Sequence, residues 1–152
     1  MNETGKLDEA QLKKWQDAAI DVARIAGASA DQWFFKRDKL VVEEKGAQDY
    51  VSQADRKTEE LIVGELRARF PDHAFFGEES AKTTPQPGQP VWVIDPIDGT
   101  TNFVHGIPMY AISIGLVVDN APVVGVIHLP RQDELFTAAA GAGAQLWTTK
   151  IE

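Results

Sequence analysis

The sequence predicts an α+β fold in which two N-terminal helices pack on a largely antiparallel sheet. Charge is concentrated in the first part of the chain: residues 1–73 carry 15 acidic and 12 basic side chains, whereas residues 74–152 carry 8 and 3. Apolar residues recur at helical spacing in the charged part and alternate, as in strands, in the apolar part. Helices that precede strands in this way are typical of an α+β domain.

The composition of the chain argues against several classes of protein function. The 152 residues, 43% of them hydrophobic, are enough for one domain with a sizeable core. A net charge of −8 disfavours nucleic-acid binding, which needs a concentrated basic face. The absence of cysteine excludes disulfides and thiolate chemistry. The polar N-terminus has no signal-peptide core, and no stretch is apolar enough for a membrane span. We therefore expect a soluble, cytoplasmic protein.

The first predicted helix begins at about Asp8. The sequence does not decide whether it ends near Gly27 or continues to Phe34, because glycine disfavours a helix. A turn or short strand near Val41 follows. The apolar face of the helix recurs at three- and four-residue spacings: Leu12, Trp15, Ala19, Val22 and Ala26.

The second predicted helix covers residues 52–70, before Pro71. Ser52 and Asp55 form an S-x-x-D capping pattern at its start. As the partner of Ser52 in this cap, Asp55 has a complete structural explanation.

Strands are expected at residues 74–76, 91–94, 110–118, 123–129 and 134–139, with a hairpin turn at Asp119 and Asn120. In residues 110–118 large side chains occupy one face and small ones the other. This pattern suggests that helices pack closely against the small face.

Four of the eight acidic residues of the second part follow predicted strands. Glu78 and Glu79 come after the first strand and Gly77, and Asp95 and Asp98 come after the second. Carboxylates at the ends of apolar strands are costly to desolvate unless something compensates their charge. Two such strand ends side by side would form a cluster of oxygen ligands, which suits Mg²⁺.

The spacing of Asp95 and Asp98 supports this prediction. Pro96 fixes one φ angle, so the two carboxylates can face one another across a rigid turn and the Ile97 carbonyl can join them. The alternative is an ordinary turn, because Asp-Pro and Asp-Gly are common turn dipeptides and paired glutamates are commonly solvated. The apolar context favours the metal site.

A helix is expected to begin at Asp98 or Gly99, with Thr100 in its first turn. A helix N-terminus offers free N–H groups to an anion. Metal ligands beside such a helix end predict a phosphate-ester site.

Several motifs resemble those of the inositol monophosphatase family, which comprises magnesium-dependent, lithium-sensitive phosphomonoesterases. They are G-E-E-S at residues 77–80 and W-V-I-D-P-I-D-G-T-T-N-F-V-H-G-I-P at residues 92–108. Further similar segments lie at residues 45–55, 111–116, 125–130 and 134–144. The resemblance implies the N-terminal half of the layered αβαβα sugar-phosphatase fold.

The resemblance also implies a set of metal ligands. Glu78, Asp95 and the Ile97 carbonyl would hold the first magnesium ion. Asp95 would bridge to a second ion that Asp98 also binds, and Glu78 would reach a third, weaker site. Glu79 would contact these ligands without itself binding an ion. Lys45 is either a solvated lysine or a charge near the metals.

The remaining implied roles concern catalysis. Thr100, hydrogen-bonded to Asp55, would orient the attacking water and take its proton, and Glu78 would help as a metal ligand. The backbone N–H groups of Gly99 and Thr100 would hold the phosphate. The substrate would be a small phosphorylated molecule such as an inositol phosphate, and we expect the full-length form to be a homo-oligomer.

The W-D-x-A-A-G-like element of the family's C-terminal α/β half is not found in this sequence. We therefore expect residues 1–152 to form the N-terminal metal-binding domain, with weak or no activity alone. Two alternatives stay open. The chain could be a non-catalytic module that binds a partner or dimerises, or it could be related to another sugar or nucleotide phosphatase with the same metal motif.

Overall fold

A computed structural model describes residues 7–40, 44–77 and 84–148. Of residues 38–40, 44, 45 and 47 it describes the backbone only. The elements are α1 (Glu9–Leu40), α2 (Glu44–Arg69), β1 (Ala74–Gly77), β2 (Val91–Asp98), α3 (Thr100–Val104), β3 (Ala111–Val118), β4 (Ala121–Leu129), β5 (Glu134–Ala139) and β6 (Gly143–Thr148). Helices precede strands, which confirms the α+β class.

The six strands form one sheet in chain order. β1 pairs parallel to β2, and every later pair is antiparallel. Asp119 and Asn120 join β3 to β4 with positive φ angles of 48° and 65°, as a two-residue type I′ hairpin requires. The predicted turn is confirmed.

Helix α1 begins where the sequence predicts, because the Asp8 carboxylate accepts a hydrogen bond from the Ala10 N–H at 3.0 Å. It then continues through Gly27 to Leu40, beyond the predicted end. The structural feature expected near Val41 falls in residues 41–43, outside the described residues. None of the described helices is both long and apolar enough to cross a membrane.

The predicted start of the second helix at Ser52 is wrong. Helix α2 begins at Glu44, so Ser52 lies in its interior and does not cap it. Tertiary packing explains the extra turns: the Tyr50 hydroxyl donates to the Trp33 carbonyl of α1, and the two rings meet edge to face at 5.3 Å. These contacts stabilise the helical conformation before Ser52, where the sequence resembles a helix start.

The helices pack on the large face of the sheet, not on the small face as expected. Gln16 of α1 donates to the Thr137 hydroxyl at 2.9 Å, and Thr137 pairs with Val126, which pairs with Ile114. The small residues that allow close approach belong to the helix. Four alanines of α1 are fully buried: Ala19, Ala23, Ala26 and Ala30.

The opposite face of the sheet, called here the outer face, is apolar and open. Within the described residues no helix covers it. A shallow trough of about 520 Å³ runs along it past Gly115 and Gly125. Its exposed large side chains are Phe76, Val93, Ile127, Phe136 and Leu146.

Candidate metal and phosphate site

The Asp95–Asp98 segment belongs to strand β2 and contains a β-bulge. Asp95 pairs with Ser113 of β3, and Asp98 pairs with Ala111, so three steps along β2 match two along β3. The extra residue lies between the two aspartates, where proline lacks the N–H that a regular ladder would use. The turn expected from the sequence is therefore a bulged strand end.

This bulge decides where the carboxylates point. In a regular strand, residues three apart lie on opposite faces, because side chains alternate with a period of two. The extra residue shifts the alternation by one, so Asp95 and Asp98 lie on the same side of β2. Burial agrees with this arrangement: Ile97 is 1% exposed, while Asp95 is half-buried and Asp98 exposed. The sequence spacing and the strand geometry together place two carboxylates on one side of the strand end.

The end of β1 lies beside this site. Gly77, the last residue of β1, pairs with Ile94, immediately before Asp95. Glu78 and Glu79 follow Gly77 in the sequence but lie outside the described residues. In the part of the chain that the structure covers, no three Asp, Glu or His side chains form a cluster for a metal ion. Of the predicted side-chain and carbonyl ligands, the structure therefore describes the positions of Asp95, Ile97 and Asp98 only.

Gly99 connects β2 to helix α3 in the left-handed conformation, with φ of +96°. A Cβ atom at this position would stand 3.1 Å from the Met109 carbonyl oxygen and 3.5 Å from Tyr110 Cα. A side chain here would be strained by its backbone conformation and crowded by its neighbours. Glycine is the residue that lets the chain turn from Asp98 into Thr100. The helix expected to start here is confirmed, although it is only five residues long.

Helices α2 and α3 enclose a pocket of about 330 Å³ beside the strand end. Asp55, only 7% exposed, reaches it from α2, and Thr100 reaches it from α3. The two residues are 45 positions apart in sequence, and the fold brings them to one pocket. This arrangement suits a hydroxyl that orients a small polar ligand and a carboxylate that receives its proton. The side chain of Lys45 is among those not described.

Sequence reasoning missed four polar residues of this pocket. Gln48 and Ser52 precede Asp55 along α2, and Thr101 lies in α3 one turn before His105, which follows the last residue of that helix. The Nδ1 of His105 donates to the Thr101 carbonyl at 2.8 Å, since a carbonyl can only accept. Their i, i+3 and i, i+4 spacings are a usable signal, but the S-x-x-D pattern favours a capping role for Ser52.

The donor set fits magnesium. Two carboxylates on one side of a bulged strand, with the Ile97 carbonyl between them, are the hard oxygen ligands that this ion prefers. Asp95 is half-buried, and a partly desolvated carboxylate gains from a neighbouring cation. Neither sulfur nor imidazole belongs to this part of β2, which distinguishes it from a zinc site.

Comparison with known proteins places this chain in a family. The sequence pattern of the inositol monophosphatase family matches residues 11–152. The chain belongs to the inositol monophosphatase family. Among its relatives, inositol monophosphatase 3 of Solanum lycopersicum is 41% identical over 89% of this chain and 51% of its own length. An inositol-1-monophosphatase of Mesorhizobium japonicum is 45% identical over 82% of this chain and 47% of its own.

Solved structures of this family share the fold. Inositol monophosphatase from Anabaena superposes with a TM-score of 0.75 at 35% identity, over 93% of this chain and 51% of that one. The extragenic suppressor protein suhB from Bartonella henselae gives a TM-score of 0.75 at 44% identity, over 86% and 50%. The chain thus spans about half the length of the inositol monophosphatases that it matches.

Proposed function

We propose that this chain provides the metal-binding and water-activating part of a magnesium-dependent phosphomonoesterase. Its substrate would be inositol monophosphate or a similar small phosphorylated molecule. The observation that carries the proposal is the bulge of β2, which sets Asp95 and Asp98 on one side of the strand, with Asp98 two residues before Thr100. Family membership supports the reaction class, since relatives are named for inositol monophosphatase activity.

Asp95, Asp98 and the Ile97 carbonyl are the proposed magnesium ligands of β2. Glu78, the residue after β1, would join Asp95 and Asp98 in holding magnesium ions. Magnesium would offset the negative charge of the phosphate oxygens and acidify a water molecule. We propose that Glu79 contacts these ligands and orients them without itself binding an ion.

The chain's own residues would handle the water and the phosphate. Thr100 orients the attacking water, and Asp55 accepts the water's proton through the Thr100 hydroxyl. As the water oxygen bonds to phosphorus, the bond from phosphorus to the ester oxygen breaks, and the leaving alcohol takes a proton from solvent. The N–H groups of Gly99 and Thr100 donate to the phosphate oxygens. Lys45 would add positive charge near the site.

Residues 1–152 alone are expected to have weak or no turnover. In the family, a further aspartate and most contacts to the substrate alcohol come from the C-terminal half, which this chain does not match. Substrate choice therefore stays open to other sugar or nucleotide phosphates that share the metal motif. A full-length form with both halves would be a homo-oligomer acting on the same class of substrate.

Asp95→Asn tests the metal assignment directly. We expect magnesium binding, measured by calorimetry, to weaken at least tenfold, because one charge-bearing oxygen ligand becomes a neutral amide. Any magnesium-dependent release of phosphate from inositol monophosphate should fall with it. Asp17→Asn is the matched control, since it makes the same change in a solvent-exposed pair with Lys13. Magnesium binding or phosphate release that survives Asp95→Asn unchanged would contradict the assignment.

The outer face supports a second candidate function. Five large apolar side chains are exposed there on the same side of the sheet as Asp95 and Ser113. Apolar patches of this kind commonly mark interaction sites. A second copy of this chain could cover the face, so the chain would act as a dimerising module. An oligomer indifferent to magnesium would favour the module, whereas a monomer stabilised by magnesium would favour the enzyme.

A further inference from the structure

Asp31 of α1 holds together two distant parts of the chain. Its carboxylate accepts a hydrogen bond from the Tyr110 hydroxyl and pairs with Arg131 at 3.3 Å. The Arg131 guanidinium lies over the Phe35 ring, 4.5 Å from its centroid. The three polar residues, named here the Asp31 clamp, join α1, the residue before β3 and the turn between β4 and β5.

Tyr110 transmits this anchoring to the candidate site. It is 2% exposed, and its Cα lies where a Cβ of Gly99 would come within 3.5 Å. Its neighbour Ala111 pairs with Asp98 in the sheet, and the Asn102 side chain donates to the Met109 carbonyl at 2.9 Å. The segment from Asp98 to Thr100 is therefore packed directly against the backbone that Tyr110 belongs to.

An aromatic cluster links the same residues to α3. The Phe34 ring of α1 lies 5.2 Å from the Tyr110 ring and 5.5 Å from the Phe103 ring, and Phe103 lies 5.0 Å from Tyr110. Phe103 is fully buried. Rings at these distances attract one another beyond their area of burial. Helix α3 is thus fixed to α1 both directly, through Phe103 against Phe34, and through Tyr110.

We infer that Asp31 and Tyr110 are positioning residues for the segment Asp98–Thr100. This segment adopts a left-handed conformation at Gly99 and leads into a helix of only five residues, so its geometry depends on the residues that pack against it. A displacement of about 1 Å at such a segment is enough to move its ligand atoms out of binding geometry and to lower affinity or rate strongly. The catalytic consequence rests on the proposed function, but the anchoring itself does not.

Tyr110→Phe isolates the clamp, because it removes one hydroxyl and keeps the ring in the aromatic cluster. We expect amide hydrogen exchange of residues 99–105 to become about tenfold faster, since a charge-assisted hydrogen bond is lost, while exchange of the core strands stays unchanged. We also expect magnesium affinity to fall severalfold. Tyr50→Phe is the matched control, since Tyr50 is the chain's other tyrosine and its hydroxyl bonds the Trp33 carbonyl.

Asp31 provides a graded second test. Asp31→Asn retains an oxygen that can accept a hydrogen bond from Tyr110. The amides of residues 99–105 should therefore exchange more slowly in this variant than in Asp31→Ala. Equal exchange in Tyr110→Phe and Tyr50→Phe, or acceleration spread over the whole protein, would overturn the inference. Magnesium titration of the unsubstituted chain tests the proposed function separately. Faster local exchange without any magnesium binding would overturn the proposed function and leave the anchoring in place.

Discussion

At the scale of single residues, His73 is half-buried among aromatic side chains. Its Nδ1 accepts a hydrogen bond from the Trp92 indole N–H at 3.0 Å, and Phe70 stacks on its ring at 4.8 Å. Trp92 is fully buried, so this bond satisfies the indole inside the core. Burial lowers the pKa of His73, and the nearby Asp72 carboxylate opposes the shift.

This environment predicts a pH dependence of stability. A histidine whose pKa is lowered by folding binds fewer protons in the folded state, so its contribution is present above the unfolded pKa of about 6.5. The free energy of unfolding should therefore fall as the pH decreases below about 6.5. His128 acts in the same direction, because burial lowers its pKa too. Urea unfolding at pH 7.5, 6.5 and 5.5 would measure the trend.

His73→Asn serves as the control, since its side-chain oxygen can still accept from Trp92 but does not titrate in this range. The slope of unfolding free energy against pH should become shallower in this variant. A slope identical to that of the unsubstituted protein would show that protonation of His73 is not responsible.

At the scale of elements, helix α1 and strand β4 approach closely at Gly27. A Cβ atom there would stand 2.6 Å from Cδ2 of His128 and 2.8 Å from its Nε2. Alanine is normally the better helix former by about 1 kcal/mol. The contact explains why a helix of 32 residues carries glycine near its middle and still continues to Leu40.

Gly27→Ala should therefore destabilise the protein by roughly 1–3 kcal/mol, because the His128 ring must move from a packed position. Gly64→Ala is the matched control: Gly64 lies within α2, and nothing stands within 4 Å of its Cβ position. The control should gain about 0.5–1 kcal/mol from helix propensity. Urea unfolding of both variants checks the pair, and equal stabilisation would refute the role given to His128.

At the scale of the whole molecule, the proposed chemistry does not explain why the outer face is apolar and exposed. If a second copy covers it, Ile127→Lys should lower self-association, since a charge would have to be desolvated in the interface. Sedimentation velocity over a range of concentrations, with and without magnesium, would measure this.

Ile107→Lys offers a matched control for that experiment. Ile107 is 49% exposed and Ile127 46%, but Ile107 lies in the loop after α3 and not on the outer face. The control should associate as the unsubstituted chain does. Unchanged association of Ile127→Lys, or equal loss in both variants, would count against the dimerising module.

The sequence by itself determined the α+β class, the positions of five strands, the hairpin at Asp119 and Asn120, and the family. These features are encoded locally, in alternation, turn residues and a dense motif around Asp95 and Asp98. The roles of all the proposed site residues stay predictions, and the side chains of Glu78, Glu79 and Lys45 also lie outside the described residues.

Only the tertiary structure decided which surfaces meet. It extended α2 past the cap-like Ser52 through contacts with α1, turned the large face of the sheet toward the helices, and joined Asp55 to Thr100 in one pocket. It also turned the expected Asp95–Asp98 turn into a bulge that aligns the two carboxylates. Each of these outcomes depends on contacts between residues far apart in sequence. The energies of such contacts cannot be read from a local sequence pattern.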